Sequence, residues 1–138
     1  MQLVGSVLFG ADAEVMAYVS NKCDGERFGH GTALGIVIKD QLVGGVVYHD
    51  GSPDDVKVSI ALEPGYFYPW RALFSYPFNH LGVIRLTAFI RKNNRKSRSL
   101  VERLGFKLEG VHPLAIARKY TGLSYGMTRD QCRWIKRV

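Results

Sequence analysis

The chain has 138 residues, of which 46% are hydrophobic and 22% charged, and its formal net charge is +7. This length and composition predict one folded domain and exclude a disordered chain, while the positive charge favours anionic partners. No signal-peptide pattern and no apolar run of about 18 residues is present, so we expect a cytoplasmic protein without a membrane segment. In that compartment Cys23 and Cys132 should both be reduced thiols.

The first half of the chain predicts a strand, a helix and a three-stranded meander. The expected elements are a strand over 2–9, a helix over 11–19, a loop over 20–32 and strands over 33–39, 42–49 and 55–62. Asp12 is a candidate cap for the helix, since a short acceptor side chain satisfies free N–H groups at a helix start. Asp40 and Gln41 form a connection of hairpin length between the first two strands of the meander.

The second half predicts two helices, each followed by a strand. The expected elements are a helix over 70–81, a strand over 83–90, a helix over 95–104, strands over 106–117 and 122–128, and a short helix at the end. Pro69 fits the first turn of the first helix, Pro77 should kink it and Gly82 should end it. The element order is therefore β-α-β-β-β-α-β-α-β-β, with no internal repeat.

The helix that starts after Asn94 carries the strongest chemical signal. Asn94 is its cap and Gly105 is its stop. Free N–H groups and the positive end of the helix dipole bind phosphate well, and Arg95, Lys96 and Arg98 add positive charge there. The pattern by itself fits an ordinary capped amphipathic helix equally well.

The segment from Asn94 to Gly110 resembles the motif Asn-x-x-Ser/Ala-x-x-Leu-x-Glu-Lys/Arg-Leu-Gly-Phe-x-x-Glu-Gly of the GNAT superfamily of N-acetyltransferases. The matching residues are Asn94, Ser97, Leu100, Glu102, Arg103, Leu104, Gly105, Phe106, Glu109 and Gly110. Together with weaker matches over 71–85 and 125–134, this version is similar to the Rim-type branch, the ribosomal-protein N-terminal acetyltransferases. Pro77 resembles a feature of small phage-encoded members of that branch.

The resemblance implies an α/β (α+β) fold, the GNAT fold, as a single domain over 1–138. Such a domain has a mixed central sheet of six to seven strands, a splayed central strand pair and three to four helices. It also implies that the cofactor acetyl-CoA lies in the gap between the splayed strands. A primary amine on a protein N-terminus, a lysine or a small molecule would then attack the thioester directly. The implied cofactor-binding residues are Ile60, Leu62, Glu63, Gly65, Tyr66, Arg71, Asn94, Ser97 and Arg98.

The segment from Glu63 to Arg71 departs from the family's pyrophosphate loop. The family pattern Arg/Gln-x-x-Gly-x-Gly/Ala uses glycines so that backbone N–H groups can approach the phosphates. Only Gly65 remains here, and Pro64 and Pro69 remove donors. Either the loop binds pyrophosphate in a different shape, with Arg71 supplying charge, or it binds CoA poorly.

Three residues are candidates for proton transfer. Glu63 is at the position from which family members often deprotonate the amine through water, and its alternative is a surface carboxylate at a strand end. His49 ends a neighbouring strand, and histidine is the residue type whose charge changes near neutral pH. Its alternative is a histidine in a surface turn. Tyr125 could replace the tyrosine acid of many members, because Val101 stands at that position here, and its alternative is a packed aromatic residue.

A second class of function stays open, namely a catalytically silent GNAT fold that binds nucleic acid or a protein. The changed loop, the missing tyrosine and the positive charge favour it, and the aromatic residues of 66–70 would either stack on bases or pack on the sheet. We expect acetyl-CoA and an amine acceptor as partners, do not favour nucleic acid, and expect a monomer or homodimer. His30 and His112 have no partners at ligand spacing, so we expect no metal.

Overall fold

The computed structural model describes residues 3–23 and 25–136. The elements are β1 (Ser6–Leu8), α1 (Asp12–Lys22), β2 (Gly31–Ile38), β3 (Gln41–His49), β4 (Asp55–Leu62), α2 (Trp70–Ser75), β5 (Arg85–Arg91), α3 (Arg95–Leu104), β6 (Lys107–Ile116) and β7 (Tyr120–Thr128). A π-helical segment over Tyr76–Leu81 continues α2, and a short 3₁₀ turn over Arg129–Gln131 follows β7. The predicted element order and the mixed α/β (α+β) class are confirmed.

The seven strands form one sheet in the order β1-β2-β3-β4-β5-β7-β6. Neighbouring strands run antiparallel except β4 and β5, which are parallel. These two strands pair only where Asp55–Lys57 lies beside Arg85–Thr87, and they part beyond Lys57. The structure therefore contains the splayed central strand pair that the family resemblance implies.

The backbone of β4 turns half of its polar groups towards the gap. The N–H of Glu63 donates to the carbonyl of Val43, at 2.8 Å, so the backbone groups of Glu63 face β3. At the other end of the strand, the carbonyl of Asp54 accepts hydrogen bonds from the start of β5. The backbone N–H and C=O groups point to opposite sides at successive residues of a strand. Those of Ile60 and Leu62 are therefore directed into the gap.

A hydrophobic core covers each face of the sheet. On one face, α1 buries Val15 and Val19 completely. On the other face, α3 buries Val101 and Leu104, and Phe78 of the π-helical segment joins the same cluster. Each such side chain contributes roughly 1.5–3 kcal/mol when fully removed from water. The two cores hold β4 and α3 in place on either side of the gap.

Three sequence predictions in the first half are wrong in detail. Asp12 does not cap α1, because its carboxylate accepts a hydrogen bond from the N–H of Ala33 at 3.2 Å. The helix continues to Lys22, so the predicted loop starts later. The β2–β3 turn consists of Lys39 and Asp40, with φ of 52° and 65°, because Ile38 pairs with Gln41.

The predicted strand over 2–9 is shorter, since only Ser6–Leu8 pairs with β2, and Gln2 lies outside the described residues. Where the sequence predicts a kink at Pro77, the segment Tyr76–Leu81 is π-helical. Gly82 and Gly105 end their helices with φ of 79° and 112°, as predicted. Cys23 and Cys132 take part in no disulfide. Among the residues described, no helix has the length and apolarity needed to cross a bilayer.

Candidate functional site

A cavity of about 690 Å³ lies between the end of β4 and the first turn of α3. The end of α1, the loop after β4 and the segment after β7 close its other sides. Seven of the nine predicted cofactor residues line it, namely Ile60, Leu62, Glu63, Gly65, Tyr66, Asn94 and Ser97. The parting of β4 from β5 opens this space and leaves backbone groups of β4 at its wall.

The other two predicted cofactor residues lie outside the cavity lining. Arg71 is exposed on the first turn of α2. Arg98 donates to the hydroxyl of Tyr125, at 3.2 Å, and to the carbonyl of Lys92, at 3.0 Å. Successive helix residues are about 100° apart, so Arg98 points away from the side on which Ser97 faces the gap.

The start of α3 is built by a side-chain cap. Asn94 Oδ1 accepts a hydrogen bond from the N–H of Ser97, at 3.2 Å, which confirms the predicted cap. The cap satisfies one of the free donors at the helix start and holds both residues at the edge of the cavity.

The loop after β4 is fixed by contacts with itself and with the N-terminal segment. Gly65 has φ of +93°, a conformation that side chains disfavour. The backbone of Phe67 pairs with Leu3 and Gly5, at 3.0 and 2.9 Å. The hydroxyl of Tyr68 donates to the carbonyl of Glu63. Part of the predicted aromatic cluster is therefore packed, while the Phe67 side chain stays 55% exposed.

Basic side chains surround the cavity. Among the described residues that line it, Lys22, Lys96, Arg103 and Arg133 are cationic and Glu63 is the one carboxylate. This excess of positive charge at the cavity favours a polyanionic ligand.

Glu63 is held in an ion pair at the edge of the cavity. Its Oε1 lies 3.0 Å from Lys22 Nζ and accepts a hydrogen bond from the hydroxyl of Tyr18 at 3.1 Å. Lys22, and then Tyr18, lower the pKa of Glu63 below its usual value, since both stabilise the carboxylate. Glu63 is therefore a weaker base than an unpaired glutamate.

A second cavity, of about 450 Å³, adjoins the first. Five residues line both, namely Cys23, Ile60, Asn94, Ser97 and Leu100. The Sγ of Cys23 lies 4.0 Å from the Ile60 carbonyl oxygen, as expected if that carbonyl faces the gap. The loop after α1 and the β6–β7 turn complete the second cavity through Glu26 and Ala117. The gap between β4 and β5 thus connects two cavities.

His49 lies beside the second cavity but does not line it. The side chain is buried, its Nδ1 is 2.6 Å from Asp50 Oδ2, and its Nε2 is 3.0 Å from Ser59 Oγ. Ser59 does line the cavity, and its Oγ also lies 3.4 Å from Glu26 Oε2. The surface-turn interpretation of His49 is wrong, because the ring is covered by Phe28, with ring centroids 4.9 Å apart.

Tyr125 is fully buried and lines neither cavity. Its hydroxyl donates to Glu102 Oε2 at 2.6 Å and accepts from Arg98 Nε at 3.2 Å. Burial raises the pKa of Tyr125 above its usual value. The structure places this hydroxyl in a bridge between α3 and β7, away from the gap.

Several residues at the two cavities were not predicted from the sequence. Lys22 lies beyond the predicted end of α1, and Trp134 reaches the cavity from the end of the chain. The side chain of Ser59 is on the face of β4 opposite to that of Ile60, so the apolar pattern on the Ile60 face does not indicate it. Lys96 belongs to a basic run that the sequence did reveal. No group of three or more potential metal ligands occurs in the ranges 3–23 and 25–136.

No family model and no curated protein matches the chain. Solved structures do match it. A chimera of the spermidine N-acetyltransferase SpeG from Vibrio cholerae and hSSAT has a TM-score of 0.69 and 13% identity, over 96% of this chain and 99% of that one. An acetyltransferase (GNAT family) from Bacillus anthracis has a TM-score of 0.61 and 19% identity, over 71% of this chain and 66% of that one.

A third structure is the Campylobacter jejuni N-acetyltransferase PseH in complex with acetyl coenzyme A. It has a TM-score of 0.57 and 14% identity, over 72% of this chain and 68% of that one. The chain thus spans about two thirds of the length of the Bacillus anthracis and Campylobacter jejuni proteins. These likenesses agree with the splayed seven-stranded sheet, and the chain has the fold of the GNAT acetyltransferases.

Proposed function

We propose that the chain is an acetyl-CoA-dependent N-acetyltransferase that acts on a primary amine. The observation that carries the proposal is the cavity at the splayed β4–β5 gap, bounded by the outward backbone groups of Ile60 and Leu62 and by the capped start of α3. A neighbour of the same fold, PseH, is described as a complex with acetyl coenzyme A.

The residues at the cavity fit this cofactor in three ways. The backbone groups of Ile60 and Leu62 can pair with the amides of an extended pantetheine arm, as a neighbouring strand would. The cationic side chains around the cavity match a ligand with several phosphates. Gly65 and Tyr66 line the cavity, and their backbone N–H groups donate to no described residue, so two donors are left for phosphate in this loop.

Acetyl-CoA, when bound, supplies the acetyl thioester. The chain's own contribution is to hold donor and acceptor in one gap, which replaces a collision in solution by an oriented encounter. A backbone N–H of β4 in the gap can donate to the developing negative charge on the carbonyl oxygen. That charge develops as the amine attacks the thioester directly, without a covalent enzyme intermediate.

Isothermal calorimetry with acetyl-CoA tests this proposal. We expect saturable heat, and weaker binding of acetyl-pantetheine, which lacks the nucleotide and its phosphates. The absence of heat with acetyl-CoA at millimolar concentration, with the protein shown to be folded by circular dichroism, would refute the proposal.

The acceptor is a primary amine on a protein N-terminus, a lysine or a small molecule. The Rim-type resemblance favours a protein N-terminus, whereas two neighbours carry the name spermidine N-acetyltransferase. Thiol release from acetyl-CoA, measured with a peptide, a lysine derivative and a polyamine, ranks these acceptors. The comparisons give no support to a catalytically silent binding module.

A further inference from the structure

Ser59, His49 and Asp50 form a continuous chain of hydrogen bonds that ends at the second cavity. Asp50 Oδ2 is 2.6 Å from His49 Nδ1, and His49 Nε2 is 3.0 Å from Ser59 Oγ. Of the three, Ser59 reaches the cavity wall, while His49 is only 5% exposed. The buried ring thus communicates with the cavity through the serine hydroxyl.

The partners of the ring determine where its proton lies. A carboxylate can only accept hydrogen bonds, so an ionised Asp50 requires a proton on His49 Nδ1. The hydrogen bond from His49 lowers the pKa of Asp50, which keeps that carboxyl ionised. In the neutral ring, Nε2 then has a free lone pair, and Ser59 Oγ can give its one proton to that nitrogen, 3.0 Å away, instead of to Glu26 Oε2, 3.4 Å away.

We propose that Ser59 and His49, supported by Asp50, form a proton relay that deprotonates a primary ammonium bound in the second cavity. This inference rests on the proposed function and assigns the second cavity to the amine. Ser59 is the residue that touches the ammonium, His49 receives the proton, and Asp50 is a positioning residue.

One proton leaves the ammonium through the relay, and a second goes to the thiolate. The ammonium N–H bond breaks and its proton passes to Ser59 Oγ, while the Ser59 O–H proton passes to His49 Nε2. The nitrogen lone pair that is released forms the new N–C bond to the acetyl carbonyl carbon. The C–S bond then breaks, the thiolate takes a second proton from the nitrogen, and the imidazolium returns its proton to solvent.

Among the described residues, Glu26 and Arg91 are the charged ones that line the second cavity, and the Glu26 carboxylate, which lies beside the relay, suits a cationic acceptor. Glu26 lies beside Ser59 at the cavity wall, with Oε2 3.4 Å from the hydroxyl, and it can pair with the ammonium. Burial raises the pKa of Glu26, and the nearby His49 and Ser59 oppose that rise. The charged groups near the ring are Asp50, Glu26 and Lys57, which stands opposite His49 on β4.

Nitrogen-15 NMR of the full chain tests the tautomer without any cofactor. We expect the neutral ring of His49, assigned by its loss in His49→Gln, to carry its proton on Nδ1. Asp50→Asn should move a large part of the population to the Nε2–H form, because the acceptor at Nδ1 is weakened. A wild-type ring protonated on Nε2 would overturn the relay, since that nitrogen could not accept a proton.

Kinetics with n-butylamine as the probe test the chemistry. Thiol release from acetyl-CoA should depend on the amine, and Ser59→Ala and His49→Gln should each lower that rate about 100-fold, the range typical of a lost general base. Acetyl-CoA affinity should be unchanged in both variants, and Ser59→Thr, which keeps a hydroxyl, should retain most of the rate.

The outcomes separate the two proposals. If the wild type does not bind acetyl-CoA, the proposed function has failed. If it binds acetyl-CoA and His49→Gln keeps the wild-type rate, the relay alone has failed. If acetyl-CoA binds but n-butylamine does not increase thiol release in the wild type, the assignment of the second cavity to the amine is wrong and the relay falls with it.

Discussion

The side-chain oxygen of Asn94 lies 3.2 Å from the backbone nitrogen of Ser97 and accepts a hydrogen bond from it. The same two residues line both cavities at the β4–β5 gap. One contact therefore stabilises α3 and places the helix start at the candidate site, and substitutions at Asn94 can separate these two effects.

Asn94→Ala should lower the free energy of unfolding by about 1 kcal/mol, because it removes the cap. Asn94→Ser is the matched control, since serine caps a helix about as well as asparagine but lacks the amide donor. Both variants should bind acetyl-CoA more weakly, while only the alanine variant should lose stability. Urea unfolding and calorimetry give the two quantities. Wild-type affinity in Asn94→Ser would show that the amide has no part in binding.

Lys96→Met should weaken acetyl-CoA binding by about fivefold at low ionic strength, since an exposed charge pair contributes at most about 1 kcal/mol. The effect should shrink in about 0.5 M salt, where charges a few ångströms apart are already screened. Lys107→Met is the control, because Lys107 is exposed and lines neither cavity. Equal losses in the two variants would mean that net charge, rather than the position of Lys96, governs affinity.

Lys22→Met should raise the pKa of Glu63 towards its usual value, because the bond to Lys22 is the main cause of the lowered pKa. Tyr18→Phe should raise it less, since the tyrosine hydrogen bond is the weaker cause. Carbon-13 NMR of the glutamate carboxyl measures the pKa in each variant. A Glu63 pKa that does not respond to Lys22→Met would contradict the ion pair.

The same ion pair sets the sign of a pH effect on stability. The pKa of Glu63 is lower in the folded state than in the unfolded state, so the ion pair stabilises the protein at pH values above the unfolded-state pKa. This stabilisation is lost as the pH falls through the folded-state pKa. The stability difference between wild type and Lys22→Met should therefore shrink on acidification below about pH 4.3, the usual value for glutamate. Urea midpoints measured across that range test the sign.

Tyr125→Phe should lower the free energy of unfolding by about 1 kcal/mol, because it removes a hydroxyl that bridges Glu102 and Arg98. Acetyl-CoA affinity should be unchanged, since the side chain lines neither cavity. Glu102→Gln keeps an acceptor for the hydroxyl and should lower the free energy of unfolding by a smaller amount. If Tyr125→Phe leaves stability intact and abolishes acetyl transfer, the catalytic interpretation from the sequence is correct and the bridging role is wrong.

The sequence predicts the candidate site best where contacts are local. The cap at Asn94 and the stop at Gly105 lie within one helix, and both predictions are confirmed. β4 has the predicted bounds, because it alternates cleanly between two turns. The seven predicted cofactor residues that meet at one cavity are not local: the family resemblance implied them, and the fold brings β4, the loop after it and α3 together.

By itself, then, the sequence determined which segments become helix or strand and where α3 starts and ends. Those properties depend on backbone preferences and on contacts within a few residues. Only the tertiary structure decided that Asp12 bonds to Ala33 instead of capping its helix, that Glu63 is paired with Lys22, and that His49 is buried against Ser59. Each of these pairs joins residues ten or more positions apart, so the His49–Ser59 contact exists only once the sheet has formed, and the other two only once α1 has packed onto it.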